Sequence, residues 1–229
     1  MILITYGNIA IDGPAGAGKS TVARLLAEKL GYIYIDTGAM YRVIAWKALI
    51  NRISPEDHLA LTKLAEETKI DFSVQEDNSK IQTVFCDGQD VTEQIRSPEV
   101  SRLVSSVAQI PGVRSVLLKQ QKFLAQKNNV VMDGRDIGSN VLPNAPFKFF
   151  LTASVEERAR RRFMELTKKG YLVNEQDVIQ EIIRRDKMDQ ERSIAPLIKA
   201  DDAIEIDTSH LQPDEVVEVI INIIKNTKS

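Results

Sequence analysis

Gly13–Pro14–Ala15–Gly16–Ala17–Gly18–Lys19–Ser20 decides the fold, and Thr21 follows it directly. The segment fits G-x-x-x-x-G-K-[ST] at every required position. Its glycines let the backbone curl until successive N–H groups converge on phosphate oxygens, and the positive end of the following helix adds to that attraction. Lys19 is then placed to reach the β and γ phosphates of a nucleoside triphosphate, and Ser20 to hold Mg²⁺. The flanks supply the context that the loop needs. Upstream, Asn8 to Asp12 is a short apolar run that reads as a strand. Downstream, Val22, Leu25, Leu26 and Leu30 recur at helical spacing, and Gly31 is placed to stop that helix. Tyr32 to Asp36 reads as a second strand, and a helix follows from about Ala39 to Ile50. Strand, helix, strand, helix at this spacing opens a parallel α/β sheet.

The pattern then changes. Ser54–Pro55–Glu56–Asp57 starts a helix to about Thr68. Ile70 to Val74 and Ile81 to Cys86 read as strands joined by a hairpin loop over Gln75 to Lys80, and Asp87–Gly88 is a turn before a third strand from Val91. This antiparallel unit, about Ile53 to Ile95, reads as an insertion. Helices resume over Pro98 to Gln109 and Pro111 to Gln126. Strands are predicted at Asn129–Asp133, Phe147–Leu151 and Ala203–Asp207, with polar helices over Ser154–Lys168 and Asn174–Glu191 and an amphipathic one over Pro213–Lys225.

Composition narrows the classes. The chain has 229 residues, with 30 Lys and Arg against 32 Asp and Glu, a formal charge of −2. That balance gives no polybasic coat for nucleic acid. The single cysteine, Cys86, forms neither an internal disulfide nor a cysteine-rich zinc site, and reads as a small apolar strand residue. No apolar run approaches the ~20 residues that cross a bilayer. Met1 to Tyr6 is apolar but short, with no basic segment before it, so the default compartment is the cytoplasm. No stripe beyond the core faces suggests assembly, and a monomer is the default. His58 and His210 lie outside every motif.

The loop leaves three classes open: small-molecule kinase, GTP switch and ATP-driven motor. No glycine among the eleven has Asp three residues before it, and no N-K-x-D segment is present, which disfavours a switch. Length disfavours a motor. Two arginine sets favour a kinase. Arg158, Arg161 and Arg162 share one helix face, in a stretch from Glu156 to Lys169 with six basic and three acidic residues. Arginine forks grip phosphate where lysine cannot, although the same face could be solvated Glu–Arg pairs. Arg185, Asp189 and Arg192 share another face, which serves equally as a phosphate-and-sugar grip or an ion-pair ladder. Asp133–Gly134–Arg135–Asp136 ends a buried strand, where an open parallel sheet places ligand-binding residues, and an Asp there can orient Mg²⁺-bound water. Asp36–Thr37–Gly38–Ala39–Met40–Tyr41–Arg42 is similarly placed.

Ile11 to Thr21, Asp36 to Arg42, Asp133 to Gly138 and Arg192–Ser193–Ile194–Ala195–Pro196–Leu197 together resemble the nucleoside monophosphate kinases, and more narrowly the bacterial-type cytidylate kinases. The resemblance implies a P-loop core with a five-stranded parallel sheet flanked by helices, a small antiparallel acceptor lobe and a short helical lid. It sets the core at about 1–52, 96–154 and 193–229, the nucleotide-binding insert at 53–95, and the lid at 155–173 with a following helix at 174–192. It implies transfer of the γ-phosphoryl of ATP to CMP or dCMP with Mg²⁺. By segment-to-segment match, Gly13 to Thr21 bind ATP. Thr37, Tyr41, Arg42, Arg135 and Arg192 belong to the acceptor site, the last four around its phosphate. Ser105, Arg114 and Asp136 face the cytosine, and Arg185 and Asp189 the ribose. Arg158 and Arg162 are lid arginines that close over the donor, and Lys19 and Asp133 complete the catalytic set. A kinase for UMP, dTMP or a shikimate-like acid, and a non-catalytic nucleotide-binding switch, remain the alternatives.

Overall fold

A computed structural model describes residues 7–73, 82–127 and 129–227. The chain forms two compact units, residues 1–34 with 128–229, and residues 35–127.

A five-stranded sheet in the order β2–β6–β1–β7–β8 carries the first unit, the last two residues of β2 already counting in the second. These strands are β1 (Ile9–Asp12), β2 (Ile33–Asp36), β6 (Val130–Asp133), β7 (Phe147–Thr152) and β8 (Ile204–Asp207). β1 pairs in parallel with β6 on one side and β7 on the other, and β7 in parallel with β8. The register sets Ile11 beside Asp133 and Phe149. β1 and β6 are buried at all four positions, which is why their sequences run apolar rather than alternate. Helices α1 (Lys19–Leu30) and α8 (Pro213–Asn226) pack together beside it, and Ile9, Ile11, Leu26, Phe149, Leu151, Val217 and Ile220 form the core. α6 (Val155–Lys168) and α7 (Glu175–Glu191) pack on each other around Ala159, Leu166 and Val178. Ser154 caps α6 by accepting from Glu157 N, and Asn174 caps α7 by accepting from the N–H groups of Gln176 and Asp177.

The second unit holds α2 (Thr37–Ile50), α3 (His58–Glu66), α4 (Pro98–Val107) and α5 (Pro111–Lys127) with a three-stranded antiparallel sheet, β3 (Ile70–Phe72), β4 (Val84–Cys86) and β5 (Gln89–Asp90). α2 packs on α4, and α3 on α5, around Met40, Val43, Ile44, Leu61, Val91, Ile95, Val104 and Leu117. Because the helices share this apolar core with the sheet, the unit is wider than the 53–95 stretch alone. At the α3–α5 crossing a Cβ on Gly112 would stand 2.1 Å from Thr62 Oγ1.

The predicted elements are found, with shifted ends. The helix read from Ser54 begins at His58, capped by Asp57, whose side chain accepts from Ala60 N. The short strand read from Val91 instead covers Gln89–Asp90, because Asp90 turns the chain by accepting from Thr92 N and Oγ1. The hairpin loop at 75–80 and the apolar run at 1–6 lie outside the described residues. One turn has no sequence signal: Ile137–Val141 is a single π-helical turn just after the Asp133–Asp136 segment.

Candidate active site

The loop after β1 has the conformation its glycines allow. Gly16 and Gly18 have φ of 80° and 84°. At Gly13, φ is 144° and an added Cβ would lie 1.9 Å from the Leu151 carbonyl oxygen. α1 begins at Lys19 with Gly18 at its cap, so the motif forms the turn-to-helix junction that binds phosphate. Lys19 is buried at 5 % exposure, and its Nζ donates to the Pro14 carbonyl at 2.7 Å. Burial, then the nearby Arg135 charge, pushes its ammonium down to about 7.

Ser20 Oγ donates to Asp133 Oδ2 at 3.0 Å, and Tyr34 Oη donates to Asp133 Oδ1 at 2.8 Å. A hydroxyl and a carboxylate, both hard oxygen donors, thus meet where the triphosphate loop joins α1. The pair suits a Mg²⁺ that keeps its waters and shares substrate phosphates. Among the described residues no group of three or more His, Cys, Asp or Glu could cage a metal without substrate.

The rest of the first unit's set comes from the loop after β6 and from α6 and α7. Arg135 Nε donates to Asp189 Oδ2 at 2.7 Å. Asp189 therefore pairs across elements and does not simply form a ladder along its own helix. Burial raises the Asp189 carboxyl, but Arg135 and Arg185 outweigh it and hold the group below its ordinary value. Arg185 is pushed down to about 10, first by burial and then by Arg135. Its Nε is buried with no hydrogen-bond partner. Asp133, Asp189, Arg135 and Arg185 all act electrostatically on Lys19, which puts them around one point at the loop. Cations gathered beside a phosphate loop, Lys19 buried and Arg135 and Arg185 half-buried, favour an anion whose charge is spread over several oxygens. Arg192 Nη2 donates to Asp136 Oδ1 at 3.0 Å, and Asn140 Nδ2 donates to Asp136 Oδ2 at 3.0 Å.

The two lid arginines differ. Arg162 is partly exposed and pairs with Glu165 at 2.8 Å. Arg158 is buried at 4 % exposure, and its guanidinium reaches the Ala153 carbonyl at 3.0 Å, the Ala15 carbonyl at 3.1 Å and Asp186 Oδ2 at 2.7 Å. It touches the phosphate loop at Ala15.

In the second unit, Thr37 is buried as the first residue of α2. Arg42 Nη1 donates to Ser101 Oγ at 3.0 Å and to the Ile95 carbonyl at 3.3 Å. Arg114 lies over the Tyr41 ring, 5.6 Å from its centroid, and donates to the Ala108 carbonyl. Ser105 is buried on α4. Thr37, Tyr41, Arg42, Ser105 and Arg114 thus belong to one unit, and Lys19, Ser20, Asp133, Arg135, Asp136, Arg158, Arg162, Arg185, Asp189 and Arg192 to the other.

Four residues that support the site are given no role in it by the sequence. Asp12, buried at 5 %, accepts from Ile137 N at 2.8 Å and Gly138 N at 2.7 Å, fixing the turn after Asp136. Burial pushes its carboxyl up to about 6 against the pull of those two N–H groups. Tyr34 orients Asp133, and Asp186 pairs with Arg158. Thr208 Oγ1, just past β8, lies 3.1 Å from the Ala17 carbonyl and 3.0 Å from the Thr152 carbonyl, and accepts from Arg161 Nη1. Asp12 could have been flagged as an acid ending a buried strand beside the loop. The other three partners lie far away in sequence, and no spacing announces them.

Comparison with known proteins covers the whole arrangement. The profile of the cytidylate kinase family matches residues 9–226. A cytidylate kinase of Bacillus licheniformis is 57% identical over 216 residues, 94% of this chain and 95% of that one. One from Caldanaerobacter subterraneus subsp. tengcongensis is 53% identical over 229 residues, 100% of this chain and 99% of that one. Among solved structures, an uncharacterized protein from Eubacterium ventriosum shares the fold, with a TM-score of 0.51, 16% identity and coverage of 96% and 99%. With the phosphate loop, its Ser20–Asp133 pair and the arginines in the segments where the resemblance sets them, this chain belongs to the cytidylate kinase family.

Proposed function

We infer that this protein transfers the γ-phosphoryl group of ATP to CMP or dCMP, giving ADP and CDP or dCDP. Family membership over residues 9–226 carries the reading. The phosphate loop with buried Lys19 and the neighbouring arginines supplies the chemistry.

No covalent nucleophile is needed. An oxygen of the acceptor phosphate attacks the γ phosphorus in line, and catalysis is positioning plus charge stabilisation. The loop N–H groups hold the donor phosphates. Lys19 leaves the Pro14 carbonyl for a phosphate oxygen. Ser20, with Asp133 directly or through a water, would hold a Mg²⁺ ion, which would supply neutralisation of charge on the donor phosphates. Arg135 and Arg192 hold the acceptor phosphate with Tyr41 and Arg42, and Arg162 turns from Glu165 toward the transferring group. Asp189 and Arg185 meet the ribose. Asp136 accepts from the cytosine amine, while Ser105 and Arg114 donate to the ring acceptors. Uracil presents a carbonyl in place of the amine, and leaves Asp136 facing an acceptor. The segment 155–173 works as a lid over the donor and excludes water. The protein acts as a cytoplasmic monomer. In support, no helix among the described residues is long and apolar enough to cross a membrane, and the only cysteine is free.

The test is ADP formation from Mg·ATP with CMP, dCMP, UMP, AMP, GMP, dTMP and shikimate in turn. Turnover confined mainly to CMP and dCMP is expected. A different preferred acceptor would discard the base-reading set, and tight nucleotide binding with no acceptor-dependent ADP would favour a switch.

A further inference from the structure

Two successive carbonyls of the phosphate loop are each held by a cation. Lys19 Nζ holds Pro14 from within the loop at 2.7 Å. Arg158 Nη1 holds Ala15 from α6 at 3.1 Å. The contact is close along its length, because a Cβ on Gly16 would stand 2.9 Å from Arg158 Cβ. Arg158 is fixed in turn by the Ala153 carbonyl, one residue past β7, and by Asp186 of α7. Asp186 sits between Arg185 and Asp189 on that helix. Its Oδ2 grips Arg158, its Oδ1 is buried without a hydrogen-bond partner, and its charge also acts on Arg135.

Phosphate binding changes this balance. Once Lys19 turns to a phosphate oxygen, Pro14 loses that donor, while Ala15 keeps Arg158. The outward carbonyls of such a loop need donors as much as its inward N–H groups need phosphate. The arginine side therefore holds the loop curled during turnover.

We propose that Arg158 and Asp186 are positioning residues, a relay by which α7, the helix that carries Arg185 and Asp189, holds the Ala15 carbonyl and couples occupation of the acceptor site to the shape of the donor loop. The coupling rests on the reading of α7 as an acceptor-contacting helix. The hold on the loop does not. Neither residue needs to touch substrate. Asp186 acts through Arg158, and Arg158 through the backbone of Ala15.

The experiment measures binding of a non-hydrolysable ATP analogue with Mg²⁺ to the full chain, alone and with saturating CMP, for the parent protein, Asp186→Asn and Arg158→Lys. In the parent, CMP tightens analogue binding about fivefold or more. Asp186→Asn weakens the analogue alone about tenfold and brings the CMP effect close to one. Asp186→Glu, which restores the charge, recovers part of both. A purely structural role would lower thermal stability without moving the CMP effect. Parent-like affinity and parent-like coupling in Asp186→Asn would overturn the proposal, as would a CMP effect of one in a parent that turns CMP over. Should Asp186→Asn fail to fold, Arg158→Lys keeps the charge but cannot span three acceptors, and the same two readouts decide. If the parent fails to phosphorylate CMP, the functional reading falls, and analogue affinity without CMP still judges the hold on Ala15.

Discussion

Lys19 occupies the position where sequence and structure meet most directly. Its side chain is buried and bonded to the loop it serves, so removing it takes away the cation without removing a wall of the core. Lys19→Ala should abolish nearly all CMP-dependent ADP formation while leaving the circular dichroism spectrum and unfolding midpoint close to the parent's. Near-parental turnover would remove Lys19 from the donor site. Asp136→Asn should lower the CMP-over-UMP ratio of kcat/KM by about tenfold, because the uncharged amide accepts more weakly from the amine and no longer repels the uracil carbonyl. An unchanged ratio would take Asp136 out of base recognition. Asp12 gives a pH signature. Its native value of about 6 stands above the ordinary 3.8, mainly through burial, so between those values the folded chain holds more protons than the unfolded one. Its contribution is fully present below about pH 4 and is lost as pH rises through 6. The urea stability of the parent relative to Asp12→Asn should fall by about 1–3 kcal/mol from pH 4 to 7. A flat difference would mean that Asp12 ionises normally. At this scale the phosphate loop was legible because its chemistry is contiguous. The pairs Arg135–Asp189, Arg192–Asp136 and Arg158–Asp186 were not, since each joins positions at least 28 residues apart, by the numbering.

Helices and strands were read from local patterns, and they hold where the pattern is strong. The run Ile9–Asp12 and the spacing of Val22, Leu26 and Leu30 give β1 and α1, and the alternation of strands and helices gives the parallel sheet. Side-chain hydrogen bonds moved the ends: Asp57 starts α3 later than the proline suggested, and Asp90 ends β5 before Val91. The π-helical turn at 137–141 depends on Asp12, a partner outside the turn, so no local pattern could show it. Two predictions belong to elements. Ser154→Ala removes the cap of α6, and should cost about 1 kcal/mol of stability by urea unfolding. No measurable loss would mean that water or Glu157 replaces the hydroxyl. Gly112→Ala forces a methyl into Thr62 and should cost about 1–3 kcal/mol. Adding Thr62→Ala should return part of that loss in a double-mutant cycle, and simple additivity would show that the two helices do not press together there.

For the whole chain, composition sets limits that the folded protein respects. With 43% hydrophobic residues the chain supplies, among the described residues, one large apolar core on the parallel sheet and another within residues 35–127, besides the smaller cluster between α6 and α7. The two-core division was only partly legible. The antiparallel strands mark an interruption, but nothing local says that α2, α4 and α5 share their core. The large exposed apolar side chains include Leu59, Phe123, Met164 and Leu172, each on a different segment, and the neighbours Leu49 and Ile50 on α2. For the proposed monomer, light scattering gives the mass of one chain, 25.7 kDa, and a concentration-independent double mass would overturn that proposal. Thr208 adds a consequence for biosynthesis. The phosphate loop leaves the ribosome well before Thr208, yet its Ala17 carbonyl is met by that hydroxyl, made almost two hundred residues later at the end of an edge strand. A nascent chain stalled before β8 carries every residue of the nucleotide motif and lacks this bracket on it. Competence to grip the triphosphate should then arrive abruptly, once β8 takes its place on the sheet.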